Sequence, residues 1–175
     1  MITPILETER ILLRPTKVSD ADTMFSSWTT DPEVAKFMRW SVHKSVDDTI
    51  MWLTSVESNL SDEHIYDWAL IYKENNDLFG TGGAYLNDEF GVYEVGYNLM
   101  KKYWGLGLAT EATSAILSFA KEELKQTTFF ARCAKDNSAS VNVLKKLGFV
   151  YKQDSKFSSF DGERVFESFD YILDT

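Results

Sequence analysis

The sequence predicts an α+β domain: a mostly antiparallel sheet with helices on its faces. Two observations predict the sheet and a third predicts the helices. Ile65–Tyr72, Leu78–Leu86 and Val92–Leu99 are strand-like runs separated by short polar turns around Lys73–Asp77 and Asn87–Glu89, the pattern of a meander. Thr127–Lys135, Val150–Gln153 and Val165–Leu173 are further strand-like runs. Between these groups the spacing switches, and Leu108, Ala112, Ala115, Ile116 and Phe119 recur every three or four residues. The 175 residues, 1–175, suit one domain.

Taken in order, Arg10–Arg14 is the expected first strand, ended by Pro15. Ser19-Asp20-Ala21-Asp22 has capping-box character and predicts a helix running to about Trp28. Asp31-Pro32 is an N-cap followed by proline at the first helical position. Ser45-Val46-Asp47-Asp48 is another cap, ahead of Ile50, Leu53, Val56, Glu57 and Leu60 at helical spacing. A helix is expected from Gly107 to about Leu124, and a second from Asn137 to Leu147, stopped by Gly148 in a left-handed position.

Composition narrows the functional classes. Apolar residues make up 44% of the chain and aromatic residues 14%, a globular rather than a disordered balance. Eighteen basic against 27 acidic residues give a net charge of −9, which disfavours a nucleic-acid partner and suits a cationic one. The only cysteine, Cys133, cannot form an internal disulfide, which fits a reducing, cytoplasmic setting. The opening Met1–Glu7 lacks the basic and apolar regions of a signal peptide, and no apolar run approaches the ~20 residues of a membrane helix. His43, His64 and Cys133 lie apart without ligand spacing, so no metal site is expected.

Two motifs carry chemistry. Trp104-Gly105-Leu106-Gly107-Leu108-Ala109-Thr110 follows a strand and opens a helix. Glycines there allow a tight turn and a close ligand approach. The unpaired first amides of the helix, at the positive end of its dipole, suit phosphate oxygens. No lysine follows the second glycine as in a nucleotide triphosphatase, and Thr110 stands where a dinucleotide fingerprint needs a third glycine. Asp136-Asn137-Ser138-Ala139-Ser140 opens the next helix one strand later, so both helix starts flank adjacent strands on one side of the sheet.

These residues, with Lys146-x-Gly148-Phe149, resemble the GCN5-related N-acetyltransferase (GNAT) superfamily. Gly107 and Ala109 fill the small positions of that family's Gln/Arg-x-x-Gly-x-Gly/Ala loop, and Trp104 departs from its first position. The departure and the following Ala-Thr-Glu-Ala, together with Leu6–Arg14 and Asp31-Pro32-Glu33-Val34, are similar to the ribosomal-protein N-terminal acetyltransferase subgroup. The resemblance covers essentially the whole chain. It implies the GNAT acyl-CoA N-acyltransferase fold, in which Val92–Leu99 and Thr127–Lys135 are the fourth and fifth strands and splay apart at a bulge. It also implies acetyl-CoA as co-substrate. The pyrophosphate would be held by amides of Gly105, Leu106, Gly107, Leu108, Ala109 and Thr110. The thioester would lie against the backbone of Leu99 and Met100, and the pantetheine arm against Asn137 and Ser140.

Acetyl transfer to nitrogen needs a neutral amine, a donor for the developing oxyanion and a leaving thiolate. Neutralising a lysine at pH 7 costs about 4.6 kcal/mol and an α-amine only about 1.4 kcal/mol, so a modest base suffices for the latter. Glu94, five residues before Leu99 on its strand, is the candidate base, and Glu111 is expected to be structural. Leu144 occupies the position where many family members carry an acidic tyrosine, which leaves Ser140 as the candidate acid. Trp28, Phe37 and Trp40 are candidates for the amine pocket, with core packing as the competing role. The expected partner is an amine, foremost a protein N-terminal α-amine of ribosomal-protein type. The alternatives are a small amine or polyamine, and a degenerate domain that binds acetyl-CoA or a partner protein without turnover. Membrane and nucleic acid are not expected partners, and the sequence is compatible with a monomer or a homodimer.

Overall fold

The computed structural model describes residues 2–175; Met1, where the signal-peptide reading begins, lies outside the described residues. Eight strands form one sheet in the order β1-β2-β3-β4-β5-β6-β8-β7. They are β1 (Leu6–Glu7), β2 (Ile11–Pro15), β3 (Ile65–Tyr72), β4 (Asp77–Asn87), β5 (Val92–Leu99), β6 (Thr128–Ala134), β7 (Val150–Ser158) and β8 (Val165–Asp174). Every pairing is antiparallel except β5 with β6.

The meander β3–β4–β5 forms as its alternation requires, and Asn76 (φ 61°) and Gly91 (φ 64°) supply the left-handed residues of its two turns. The first expected strand is β2; it keeps Pro15 as its last residue, opposite Trp68, where a missing N–H costs the ladder little. It is preceded by β1, a two-residue strand too short to leave a periodic signal. The strand expected at Val150–Gln153 continues to Ser158. β7 is a polar, exposed edge held only by β8, so it shows none of the apolar alternation that marks a half-buried strand.

Five α-helices flank the sheet: α1 (Ala21–Met24), α2 (Pro32–Ala35), α3 (Val46–Asn59), α4 (Leu108–Glu122) and α5 (Ser138–Lys146). The cap expected at Ser19 lies two residues earlier. Asp20 accepts from the Lys17 amide at 3.0 Å and pairs bidentately with Arg14 at 2.8 and 2.6 Å, which places it in the third helical position. A 3₁₀ turn at Val18–Asp20 leads into α1, and a π-helical turn follows over Phe25–Thr29. Asp31 caps α2 through the Glu33 amide at 2.8 Å, and Ser45 and Asp48 form the capping box of α3. Gly148 (φ 89°) ends α5.

Apolar burial divides between the two faces of the sheet. Leu108, Ala112, Ile116 and Phe119 of α4 pack on Tyr66, Trp68, Tyr93 and Val95. Ala21, Met24, Trp28, Val34 and Leu53 pack on Ala69, Ile71 and Leu78. No helix among the described residues is long and apolar enough to cross a membrane.

Candidate active site

β5 and β6 pair in parallel at only two positions, Tyr93 with Phe129 and Glu94 with Phe130, and then diverge. The register of β5 on β4 runs unbroken from Asn87–Val92 to Gly80–Leu99, so the expected splay is present but no bulge accompanies it on that side. The parity of the ladder shows which groups face the gap. The Met100 amide donates to Phe79 O at 2.7 Å. Antiparallel bonding alternates, so the amides of Asn98, Gly96 and Glu94 also turn to β4, whereas those of Leu99 and Tyr97 turn to the gap. On β6, Lys135 donates to Glu167 O of β8 at 2.9 Å, which turns the backbone of Arg132 and Ala134 toward the gap. The gap is therefore bounded by two strand edges whose donors and acceptors are available to an extended ligand.

At Leu99 the carbonyl accepts from Trp104 Nε1 at 2.9 Å, which leaves the N–H as the gap-facing group. This is where the unusual Trp104 is spent. Met100 offers no free backbone: its N–H is bonded to Phe79 and its C=O accepts from Tyr103 N at 2.9 Å.

The glycine loop stands at the head of α4. Gly105 (φ 75°) and Gly107 (φ 78°) hold left-handed conformations, and Gly107 is the N-cap. The first intrahelical bond runs from Glu111 N to Gly107 O at 3.1 Å, so the amides of Leu108, Ala109 and Thr110 lack helical partners. Glu111 fixes this end of the helix to the N-terminal segment. It accepts from Thr8 Oγ1 at 2.6 Å, Arg10 N at 2.9 Å and Arg10 Nε at 2.7 Å. Burial pushes its carboxyl pKa up, but these bonds outweigh burial and hold it below its ordinary value. Arg10 also donates to Leu106 O at 3.0 Å, so it braces the loop itself.

Across the gap, Asn137 Oδ1 caps α5 by accepting from Ser140 N at 3.2 Å. Ser140 Oγ accepts from the Tyr97 hydroxyl at 3.1 Å. Burial raises the Tyr97 phenol to about 12, partly opposed by the bond to Ser140. Sequence reasoning missed Tyr97, because an aromatic at that strand position reads as core. The Cys133 thiol is also pushed up, to about 11, by burial, so it stays protonated.

On the opposite face of the sheet a cavity of about 650 Å³ opens onto the gap. Phe37, Trp40 and Glu94 line it together with Tyr97, Asn137 and Ser140. Trp28 does not; it is fully buried in the core against α3, so core packing explains it. Glu94 is half-buried and accepts from Asn87 Nδ2 at 2.8 Å. The cavity wall at 37–40 is held by Arg164 on the β7–β8 hairpin, which donates to Ala35 O (3.1 Å), Met38 O (3.1 Å) and Trp40 O (2.8 Å). Nothing near Arg164 in sequence signals this clamp, since its partners lie more than a hundred residues away. Among the described residues no group of three or more His, Cys, Asp or Glu is placed to hold a metal.

A family model described as an acetyltransferase (GNAT) domain matches residues 10–150. An uncharacterized N-acetyltransferase, p20, of Bacillus licheniformis is 30% identical over 145 residues, 82% of this chain and 81% of that protein. A GNAT-family acetyltransferase from Bacillus anthracis superposes with a TM-score of 0.83 at 24% identity, covering 98% of each chain. The ribosomal-protein-S5-alanine acetyltransferase from Vibrio fischeri superposes with a TM-score of 0.82 at 19% identity, covering 98% of this chain and 96% of that one. At these identities the two solved structures establish likeness of fold.

Proposed function

The chain belongs to the GNAT acetyltransferase family, and from that premise we propose that it transfers acetyl from acetyl-CoA to a primary amine in the gap between β5 and β6. The observation that carries the proposal is the convergence of two open strand edges with the partnerless amides of α4. Acetyl-CoA supplies the activated acyl group as a thioester. The amides of Leu108, Ala109 and Thr110, behind the Gly105–Gly107 turn, hold its pyrophosphate, and Asn137 and Ser140 face its pantetheine arm. The Leu99 N–H donates to the thioester oxygen as negative charge develops there, a preorganised contact worth about 2.7–4 kcal/mol in comparable sites. Glu94 takes the proton of the attacking amine directly or through one water. As the C–N bond forms and the C–S bond breaks, Ser140, its Oγ held by the Tyr97 hydroxyl, donates to the departing sulfur, and the proton that Glu94 took from the amine returns through solvent to complete the thiol.

A protein N-terminal α-amine is the acceptor that asks least of Glu94, because its neutral form costs about 3 kcal/mol less than that of lysine. A small amine is the second reading. It is favoured by the Phe37–Trp40 wall of the cleft, which Arg164 holds in place.

The loop assignment is tested by titration calorimetry with acetyl-CoA. Gly107→Glu sets a carboxylate and a strained left-handed residue against the pyrophosphate and should weaken affinity at least about a hundredfold, or about 2.7 kcal/mol. Unchanged affinity in a folded variant removes the loop from the site.

A further inference from the structure

Trp104 stands where packing does not explain it. Its ring is 45% exposed and lies outside both apolar clusters, just after the Lys101–Tyr103 turn that leads from β5 to the glycine loop. Among the described residues its side chain makes one hydrogen bond, from Nε1 to Leu99 O at 2.9 Å. The turn that carries it is fixed. Tyr103 is buried against Tyr72 and Phe79, and its hydroxyl donates to Asp77 at 2.7 Å. The Tyr103 N–H donates to Met100 O at 2.9 Å and the Trp104 N–H to Lys101 O at 3.1 Å. The indole therefore reaches Leu99 from an anchored backbone.

Leu99 is held from three sides. On the β4 side, a Cβ at Gly80 would lie 2.3 Å from Asn98 O and 2.7 Å from Leu99 Cδ2, so only glycine lets the strands press this close. The peptide joining Leu99 to Met100 is tied at both ends, its N–H to Phe79 O at 2.7 Å and its carbonyl oxygen to Trp104. What stays open at this residue is the Leu99 N–H. Both backbone groups of a strand residue emerge on the same edge, so without the indole the Leu99 carbonyl would stand bare beside that N–H. The negative end of its dipole would oppose the charge that grows on the thioester oxygen and offset the donor next to it. The bare oxygen would also draw a ligand N–H to the place where an oxygen must bind. The indole N–H removes both effects by occupying the carbonyl and adding its own positive edge.

We infer that Trp104 is a positioning residue for acetyl transfer: by tying down the Leu99 carbonyl it dedicates this end of β5, through the Leu99 N–H, to an oxygen that becomes an anion. This rests on the Leu99 N–H as the donor to the thioester oxygen.

Trp104→Phe keeps a ring and loses the N–H, and at so exposed a position the protein should stay folded, as circular dichroism checks. Calorimetry on wild type and variant compares acetyl-CoA with S-sulfonated coenzyme A. The sulfonate sets anionic oxygens on a tetrahedral centre bonded to the coenzyme sulfur, where the acetyl carbon would be. Trp104→Phe should lose about tenfold in affinity for the sulfonate and less than about twofold for acetyl-CoA, and its kcat should fall about tenfold. Trp104→His, which returns a ring N–H, should recover part of both losses. If Trp104 merely supports the adjoining Gly105, both ligands weaken alike, and that result overturns the inference. A Phe variant that matches wild type in sulfonate affinity and kcat while thiol release proceeds overturns it too and leaves acetyl transfer at the gap standing. Selective loss of sulfonate affinity in a protein that acetylates no amine keeps Trp104 as the residue that fits Leu99 to an anion and sinks the transfer.

Discussion

Replacing Asp67 with asparagine should stabilise the protein, and by an amount that depends on pH. Burial raises the Asp67 carboxyl from 3.8 to about 6, against the opposing hydrogen bonds from Tyr85 and Thr16. The folded state therefore holds this proton more tightly than the unfolded chain does. Below about pH 3 both states are protonated and the residue is neutral in either. As pH rises toward and through 6, the unfolded chain ionises freely in water while the folded chain must carry a buried charge, so stability is lost over that window. The difference between 3.8 and about 6 corresponds to about 3 kcal/mol. Asparagine keeps the shape and an acceptor for Tyr85 but never ionises. The stability of Asp67→Asn relative to wild type should thus rise by about 3 kcal/mol between pH 3 and pH 8. Urea unfolding of both proteins at matched pH values measures this. Carboxylates such as Asp161, held near 2 by hydrogen bonds from Ser159 and Ser41, pull the other way, but they cancel in the difference between variant and wild type. A difference that stays flat across this pH range would show that Asp67 is not buried as an ionisable group.

Two further outcomes follow from the geometry. Arg164→Ala removes the donors that tie the hairpin to three carbonyls of the 35–40 wall and should cost about 2 kcal/mol of stability. It should raise the acceptor KM about tenfold and leave acetyl-CoA affinity unchanged; weaker coenzyme binding would mean the wall serves the wrong half of the site. Glu94→Gln should lower kcat about a hundredfold or more, again with acetyl-CoA affinity intact. A wild-type kcat in that variant removes Glu94 as the base.

The meander, both long helices and the cap of α3 were legible because each rests on local signals: alternation, helical spacing and capping residues with contiguous partners. The glycine loop was legible for the same reason, since Gly105 and Gly107 sit where left-handed backbone is needed. What escaped depends on contacts distant in sequence or on an absent side chain. The continuation of β7 beyond Gln153 hid because an exposed polar edge has no apolar period. Tyr97 matters only because the divergence of β5 from β6 brings Ser140 to its hydroxyl. Asp67 passed without comment inside the Ile65–Tyr72 run, and its burial beneath Tyr85 depends on Gly83, a neighbour that only the register reveals. Trp28 shows the reverse error: it neighbours the pocket wall in sequence but points into the core.

The central claim is that an amine takes acetyl from acetyl-CoA at this gap. Release of free coenzyme A thiol tests it most directly, followed with the wild-type protein across N-terminal peptides, diamines and monoamines. The account predicts thiol release dependent on both enzyme and amine, with acetylated amine formed in equal amount. Tight acetyl-CoA binding without release from any of these acceptors would contradict it.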